Sequence, residues 1–523
     1  MQGKKSFNEK LFNSFQLSER VPRENFYRKL HEILDLKFLY PRTTHLYGDT
    51  GNPSIDPVVF FKLMLVGYLE NITSDRRLID QCSMRLDILF FLGYDIDEEL
   101  PWHSTLSRTR QLYDEDLIEE LFSKVFAICV EAGMVSGHTQ AIDSAYIKAN
   151  ASMSSVERKQ PVEGVNEYLR KSGEENEGPR RKAKGDKADE DQKSITSSEN
   201  ELKELDTRNK YFLDNKMKKY GSDAKDTFTS YSNQTHYSPT DPDARISTKP
   251  GKPRQFNYLC SMAVDSAQGV ISHVQADFAD KKDSRYLLDI TTKTDQELRK
   301  NHLSMDNALA DTGYSSGKNY HDLEELGITP FIPTSGVYKH DREGFTYDKE
   351  RDLFVCRQGK LLLFKKVVTT SKGRLLKRYR STRMDCRGCP FKISCVGEKG
   401  QEKKLEVSFY QEEYERAWQR QQTGFFKRMM RVRQGTIEPV FGNLINYYGL
   451  RKINTIGIRS AHKCMLMSAI AYNLKKLLKH LRDKRNAQVQ VLGKELCALK
   501  NTFSEFLNRS LIGRPTFHAL SLD

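Results

Sequence analysis

No stretch of this 523-residue chain is apolar for long enough to cross a bilayer. The longest apolar run, Val58 to Leu69, is twelve residues interrupted by Lys62, against the roughly 20 that a membrane helix needs. The opening residues MQGKKSFNEK hold no signal-peptide core. Membrane and secreted classes are therefore not expected. A disulfide framework is missing too. Nine cysteines are an odd count, and Cys82, Cys129, Cys260, Cys464 and Cys497 are scattered among apolar stretches, a usage that suits a reducing cytoplasm. Hydrophobic residues reach only 38%, low for a globular chain yet above the level of general disorder. The sequence carries no internal repeat.

What the chain has in excess is positive charge. Lys and Arg number 84 against 70 Asp and Glu, which leaves +14. Such an excess favours a polyanionic partner, because each Lys or Arg on a phosphate releases condensed counterions; a solvated basic surface is the alternative. The length exceeds what one compact domain usually holds, so two or three domains are expected.

Residues 1–135 read as helical. SIDPVVFFKLMLVGYLE offers Ser54 as an N-cap ahead of Pro57, SDRRLIDQCSMRLDILFFLGYD runs from a Ser74 cap to a Gly93 stop, and a third helix begins at Pro101 and Ser104. Ser104, Thr105, Arg108 and Arg110 at that helix start suit phosphate or base-edge contacts in a helix-turn-helix-like arrangement. An ordinary helical hairpin is the bland reading. From His138 the periodicity changes. HTQAIDSAYIKA reads as a strand, FNYLCSMAVDSAQGVISHVQADFA as two strands joined at 265–269, and DSRYLLDITTKTDQELRK as a helix. NHLSMDNALADTGYSSGKNYHDLEELGITPFIPT then reads strand, turn, helix, strand, with Ser315 or Ser316 as the cap and Gly327 as the stop. This order describes an α/β domain with a mixed sheet, here spanning 136–335. It is interrupted by an insertion at about 155–230, where 14 of the 23 residues from Lys171 to Lys193 are charged, a composition expected to be disordered or loosely helical. A second insertion spans 336–407, helices at 408–485 complete the core, and 486–523 is a tail.

Two aspartates sit where chemistry usually sits. Asp143 lies within an apolar strand and Asp311 at the end of another. Burying a carboxylate is costly unless a partner or a metal compensates, and hard divalent cations take carboxylate oxygens. A capping residue and a salt-bridged one form the alternative. Glu438 is the third candidate, read as entering a helix with Pro439 just after it. It follows a stretch rich in Arg416, Arg420, Lys427, Arg428, Arg431 and Arg433, as a metal site beside a phosphate backbone would. Glu412, Glu413 and Glu415 are rivals on composition.

AIDSAYIKANAS, TDPDAR at 240–245, AVDSAQGVI, ALADTGYSS, IEPVFGNL and SAIAYNLKKLLKH at 468–480 occur in the order seen in bacterial insertion-sequence transposases of the DDE class, which the chain resembles over most of 30–480. The segment from YPRTTHLYGDTGNP to PWHSTLSRTR resembles the helical N-terminal domain of that group. The resemblance implies a ribonuclease H-like core, a mixed sheet flanked by helices, behind an all-helical DNA-binding domain. It implies Asp143, Asp311 and Glu438 as the acidic triad holding two Mg²⁺ ions, with Mn²⁺ as a substitute. Asp143 would bridge both ions, with Asp311 and Glu438 each on one side. It also implies double-stranded DNA as partner, both terminal inverted repeats and target, a homodimer on DNA, and a place in the bacterial cytoplasm with the nucleoid. Cleavage and strand transfer are in-line displacements at phosphorus, which paired metal ions about 4 Å apart serve. Arg428, Arg431, Arg433 and Lys452 are the candidate phosphate contacts around the triad. The chain departs from the group at two positions. Four residues before and seven after the glutamate, where an Arg and a Lys are common, stand Gln434 and Ile445. A cleavage-dead DNA-binding protein is therefore the rival reading, and a nuclease unconnected with mobile elements a third.

Cys356, Cys386, Cys389 and Cys395 lie in the second insertion. Four thiolates could hold a structural Zn²⁺ there, although the spacing is not that of a standard ribbon and reduced, packed cysteines are the alternative. The last long helix, from about Ile456, has an apolar half expected to pack on the core and a basic end from Lys475 to Arg485.

Overall fold

The structure, a computed structural model, describes residues 16–48, 54–161, 195–220, 231–247, 253–335, 338, 342–370 and 373–512. The charged run Lys171–Lys193 and the last residues of the tail lie outside them. No described helix is long and apolar enough to cross a membrane.

The N-terminal helices are α1 (Phe26–Ile33), α2 (Pro57–Leu69), α3 (Asp75–Ser83), α4 (Leu86–Leu92), α5 (His103–Leu112) and α6 (Glu115–Glu131). Asp56, not Ser54, caps α2: its carboxylate accepts from the amides of Val58 and Val59, because Pro57 takes the first helical position and makes the residue before it the cap. Two stretches that read as single helices are each broken in two. The chain turns at Met84–Arg85, and again at Tyr113, where Asp114 accepts from the amide of Leu117 and starts α6 afresh. Gly93 does end α4, at φ +88°. Helix α2 is buried on nearly every side; even Lys62 is only 8% exposed, with its ammonium 5.1 Å from the centre of the Phe91 ring and its pKa lowered by burial.

The main sheet is built from β1 (Thr139–Lys148), β2 (Gln255–Asp265), β3 (Ile271–Phe278), β4 (Asn307–Leu309) and β5 (Thr329–Phe331). Between β1 and β2 lies a helix, α7 (Glu199–Tyr220). Helices α8 (Leu287–Lys300) and α9 (Gly317–Glu325) connect β3 to β4 and β4 to β5. In space the strands run β3-β2-β1-β4-β5, with β2 antiparallel to both its neighbours and β1, β4 and β5 parallel. The short strand Arg245–Ser247 extends the edge beside β2.

After β5 the second insertion forms a five-stranded antiparallel meander, β6 (Phe345–Asp348), β7 (Leu353–Cys356), β8 (Leu361–Thr369), β9 (Leu375–Arg380) and β10 (Lys404–Ser408). It encloses a small core of its own around Phe354, Leu362, Tyr379, Leu405 and Val407. Five residues from four strands suffice for it. Three helices follow: α10 (Gln411–Gln421), α11 (Gly424–Tyr447) and α12 (Ile458–Ile512).

Helix α12 carries the architecture. Leu466, Ala469, Ile470, Leu474 and Leu477 are fully or almost fully buried, in one hydrophobic core continuous with α2, α6 and the sheet. Its start is fixed by the TDPDAR segment. Asp241 accepts from the amide of Gly457 (3.1 Å) and Asp243 from that of Ile458 (3.0 Å), so two carboxylates sit on the positive end of the helix dipole. Deeper in, buried Asn473 exchanges two 2.9 Å hydrogen bonds with the backbone of Ile271, taking the place of a neighbouring strand on the edge of β3. The hairpin end of β2 is held by Asp265, wholly buried, which accepts from Gly137 N and Gln140 Nε2, both at 2.9 Å, and from Ala267 N.

That carboxylate ties the entry to β1 to the β2–β3 turn. Asp265→Ala is expected to cost about 3 kcal/mol, the scale for orphaning donors of a buried charge. A urea midpoint within error of wild type would show that the turn holds without it.

Candidate active site

Strand register brings the first two carboxylates together. Strands β1 and β4 run parallel, with Ala141 opposite Leu309. Asp143 and Asp311 each lie two residues further along, at the C-terminal side of neighbouring parallel strands, where open α/β sheets form their crevices. Asp143 remains inside β1, opposite Met262 of β2. At Asp311 the chain has left the strand: its carboxylate accepts from Gly313 N at 2.7 Å and opens a short turn, Thr312–Tyr314. A Cβ at position 313 would come within 2.9 Å of Asp311 Oδ1, so a larger residue there would push the carboxylate aside.

Glu438 arrives on α11. The helix lays Phe426 against Phe331 beside β4 and β5, then buries Ile437, Val440, Phe441 and Leu444 in the main core. Pro439 does not mark its beginning, as the sequence reading had it; it is the sixteenth of 24 residues. A proline there removes one backbone hydrogen bond and crowds the carbonyl of Gly435, about 3 kcal/mol in an exposed helix, and the buried face offsets it. Arg433 belongs to that buried face, 9% exposed. Its guanidinium stands 3.2 Å from Asp143 Oδ2 and 3.6 Å from Glu438 Oε1, so one cation joins the strand carboxylate to the helix carboxylate. Glu438 itself is largely exposed at the rim.

A fourth carboxylate was not anticipated. Asp283 opens a turn, Asp283–Arg285, packed on the Thr312–Tyr314 turn. Buried Asn319 fastens the two turns, donating from Nδ2 to the carbonyls of Ser284 (3.0 Å) and Tyr314 (2.9 Å). Nothing in the sequence singles Asp283 out, since an acid before a helix reads as a cap. The charge of these acids shows in Asp143. Burial first, then the charges of Asp311 and Asp283, push its pKa up to about 6, against the lowering effects of the Ser144 amide and Arg433. The Tyr314 hydroxyl, 2.7 Å from Ser144 Oγ, is pushed well above its usual range by burial and by the same carboxylates.

The rival acids have other partners: Glu412 pairs with Lys349, Glu413 with His321, and Glu415 accepts from Tyr338 and Gln419. Ser104 and Arg108 are exposed at the start of α5 and Thr105 is half-buried. Arg110 is turned inward, held by Asp75 at 2.6 Å. Arg428, Arg431 and Lys452 are exposed, with Lys452 bridged through its backbone to Lys148 at the end of β1. Gln434 is exposed, while Ile445 packs against the core. In the meander Cys386 is buried, with Sγ 3.1 Å from Ser381 Oγ, and Cys356, Cys389 and Cys395 are half-buried thiols. Among the described residues no three His, Cys, Asp or Glu side chains are grouped closely enough to hold one metal ion together.

A carboxyl whose pKa rises on folding binds its proton more tightly in the folded chain, so its contribution to stability falls as pH rises from about 4 to about 6 and stays unfavourable above. The two-unit rise corresponds to roughly 3 kcal/mol. In metal-free buffer Asp143→Asn is expected to be more stable than wild type at pH 8, with the difference gone by pH 4. Parallel urea titrations at the two pH values check it, and a difference independent of pH would contradict it.

Residues 15–112 match a family model described as Transposase domain (DUF772), and residues 355–478, which include Glu438 and the last three strands of the meander, match one described as Transposase DDE domain. No curated protein matches the chain. The chain belongs to the insertion-sequence transposases of the DDE class.

Proposed function

We propose that the chain is a transposase that binds the terminal inverted repeats of its element, cuts the DNA there and joins the ends to target DNA, with Asp143, Asp311 and Glu438 as its catalytic carboxylates. The observation that carries this reading is the register of β1 and β4, which sets Asp143 beside Asp311 at the crevice that α11 closes with Glu438. The strand order β3-β2-β1-β4-β5 with β2 antiparallel supports a ribonuclease H-like core.

The donor set fits a hard divalent cation in kind, although no three of the described side chains are grouped closely enough to hold one ion as they stand. Its oxygens belong to carboxylates, one buried among like charges and therefore poised to gain from a cation. Asp143, Asp311 and Glu438 would hold Mg²⁺ or Mn²⁺, which when bound supplies charge neutralisation at phosphorus and an activated water or 3′-hydroxyl. The protein's own residues set the stage. Asn319 and Gly313 fix the turn that aims Asp311. Arg433 balances Asp143 and Glu438 from behind and keeps the strand and helix acids in register. Arg428 and Arg431, exposed on the helix that carries Glu438, and Lys452, beside the end of β1, would take backbone phosphates. Ser104, Thr105 and Arg108 present a separate polar edge on α5 for duplex DNA. Two copies on paired ends would make the working assembly.

Ile445, tucked against the core, cannot stand in for the lysine common at that position, which keeps a cleavage-dead DNA-binding protein as the second reading. One assay separates them: cleavage of a labelled duplex carrying the element's own end, in Mg²⁺. Cutting at the repeat boundary is expected, with a loss of more than about 100-fold, the upper range for merely supporting residues, in Asp143→Ala, Asp311→Ala and Glu438→Ala while binding persists. Binding without cutting in Mg²⁺ or Mn²⁺ would favour the second reading.

Arg433 yields an independent test. Arg433→Gln leaves two facing carboxylates without their cation and is expected to lose about 3 kcal/mol in EDTA, with much of the loss recovered in millimolar Mg²⁺. Equal losses in both buffers, followed by thermal melting, would remove Arg433 from the site's charge balance.

A further inference from the structure

The meander concentrates cations in a way that strand pairing alone disfavours. Strand β8 slips register between Phe364 and Lys366, so Lys365 is an extra residue opposite β9. Such a bulge re-aims side chains that would otherwise alternate between faces. As a result the consecutive residues Lys365 and Lys366 line one concavity of 370 Å³ together with Arg378 and Arg380. Lys366 stands directly across from Arg378, and like charges in that relation repel. Two acids answer part of the charge, Glu406 to Arg378 at 2.6 Å and Glu402 to Arg380 at 3.2 Å. The two lysines are exposed and have no acidic partner among the described residues, and Arg380 Nε is buried there with no hydrogen-bond partner. Beside them on β8, Leu363, Phe364 and Val367 are exposed as well.

We propose that this basic concavity on the β8–β9 face is a second DNA-contact surface, separate from the carboxylate site, that takes backbone phosphates of the duplex. Four cations facing two acids leave an uncompensated pair of positive charges, and a bulge that sets neighbouring lysines side by side is unfavourable until an anion joins them. Phosphates of a duplex the protein already handles supply that anion without any demand on base sequence.

The test is the salt dependence of duplex binding by the full chain, wild type against the double variant Lys365→Gln/Lys366→Gln. Each lost phosphate contact lowers the slope of log affinity against log salt by about 0.9, so a fall of about 1.8 is expected, equal on a duplex carrying the element's end and on an unrelated duplex of the same length. Lys203→Gln/Lys300→Gln, with the same charge change on other helices, should leave the slope at its wild-type value. Because the lysines repel Arg378, the double variant should melt no lower than wild type, whereas a structural role would lower its melting temperature. A slope matching that of the control variant, or a loss confined to the element's own end, would overturn the proposal. The outcome does not depend on whether the triad cuts, since only binding is read.

Discussion

Carboxylates gathered in a partly buried cleft repel one another, and the active end of this molecule is organised around that repulsion. Asp143 on its strand feels the charges of Asp311 and Asp283 on two turns, and one guanidinium, Arg433, joins it to Glu438 on the helix. Burying that arginine is tolerable only because it meets two of the acids. Burial first, and then the charge of acids left incompletely neutralised, makes Asp143 hold its proton to higher pH than an ordinary aspartate. Charge left unbalanced in the resting protein is affinity available to a cation, so the electrostatic cost and the proposed chemistry have one origin.

Such a cleft needs a rigid frame, and α12 provides much of it. It runs through a core that joins the N-terminal helices to the sheet, and its own start is pinned by Asp241 and Asp243. Several segments that resemble transposase motifs turn out to be framework. TDPDAR caps α12, the aspartate of AVDSAQGVI ties the hairpin to the entry of β1, and the asparagine of SAIAYNL covers the edge of β3. Asn71, at the end of α2, reaches the far end of α11, donating to Asn446 O and accepting from Gly449 N. The helical block is thereby fastened to the helix that carries Glu438.

The readings from sequence held where local chemistry decides the outcome. The strand around Asp143, the hairpin at 265–269 with Gly269 at φ +66°, and the stop at Gly327 are set by strand-forming residues and backbone freedom, and each stands where expected. They failed where tertiary packing overrules the local rule. Pro439 reads as a helix start, yet the burial of Ile437, Val440, Phe441 and Leu444 carries the helix through it. The meander escaped notice because none of its strands buries more than two side chains, so no apolar run marks it in the sequence. Asp283 was invisible for a different reason: its role comes from Asn319 clamping two turns 30 residues apart, a contact that no sequence period encodes.

The displaced cations on α11 follow from helical geometry. Glu438, Gln434 and Arg431 lie four and seven residues apart on one exposed face. Arg433, by contrast, belongs to the stripe of Phe426, Ile437, Val440 and Leu444 that faces the core. Related transposases commonly have their cations on the glutamate's own face, at the positions of Gln434 and Ile445. Here one of those side chains is neutral and exposed, and the other packs inward. The cation has in effect moved behind the glutamate, where it balances the acids and is too buried to meet a phosphate. In the proposed function, contact with DNA on the open face would then fall to Arg431, two turns before Glu438, and to its neighbour Arg428. The departures at 434 and 445 therefore alter how DNA would be gripped along α11, while the carboxylates and the cation that orders them stay together.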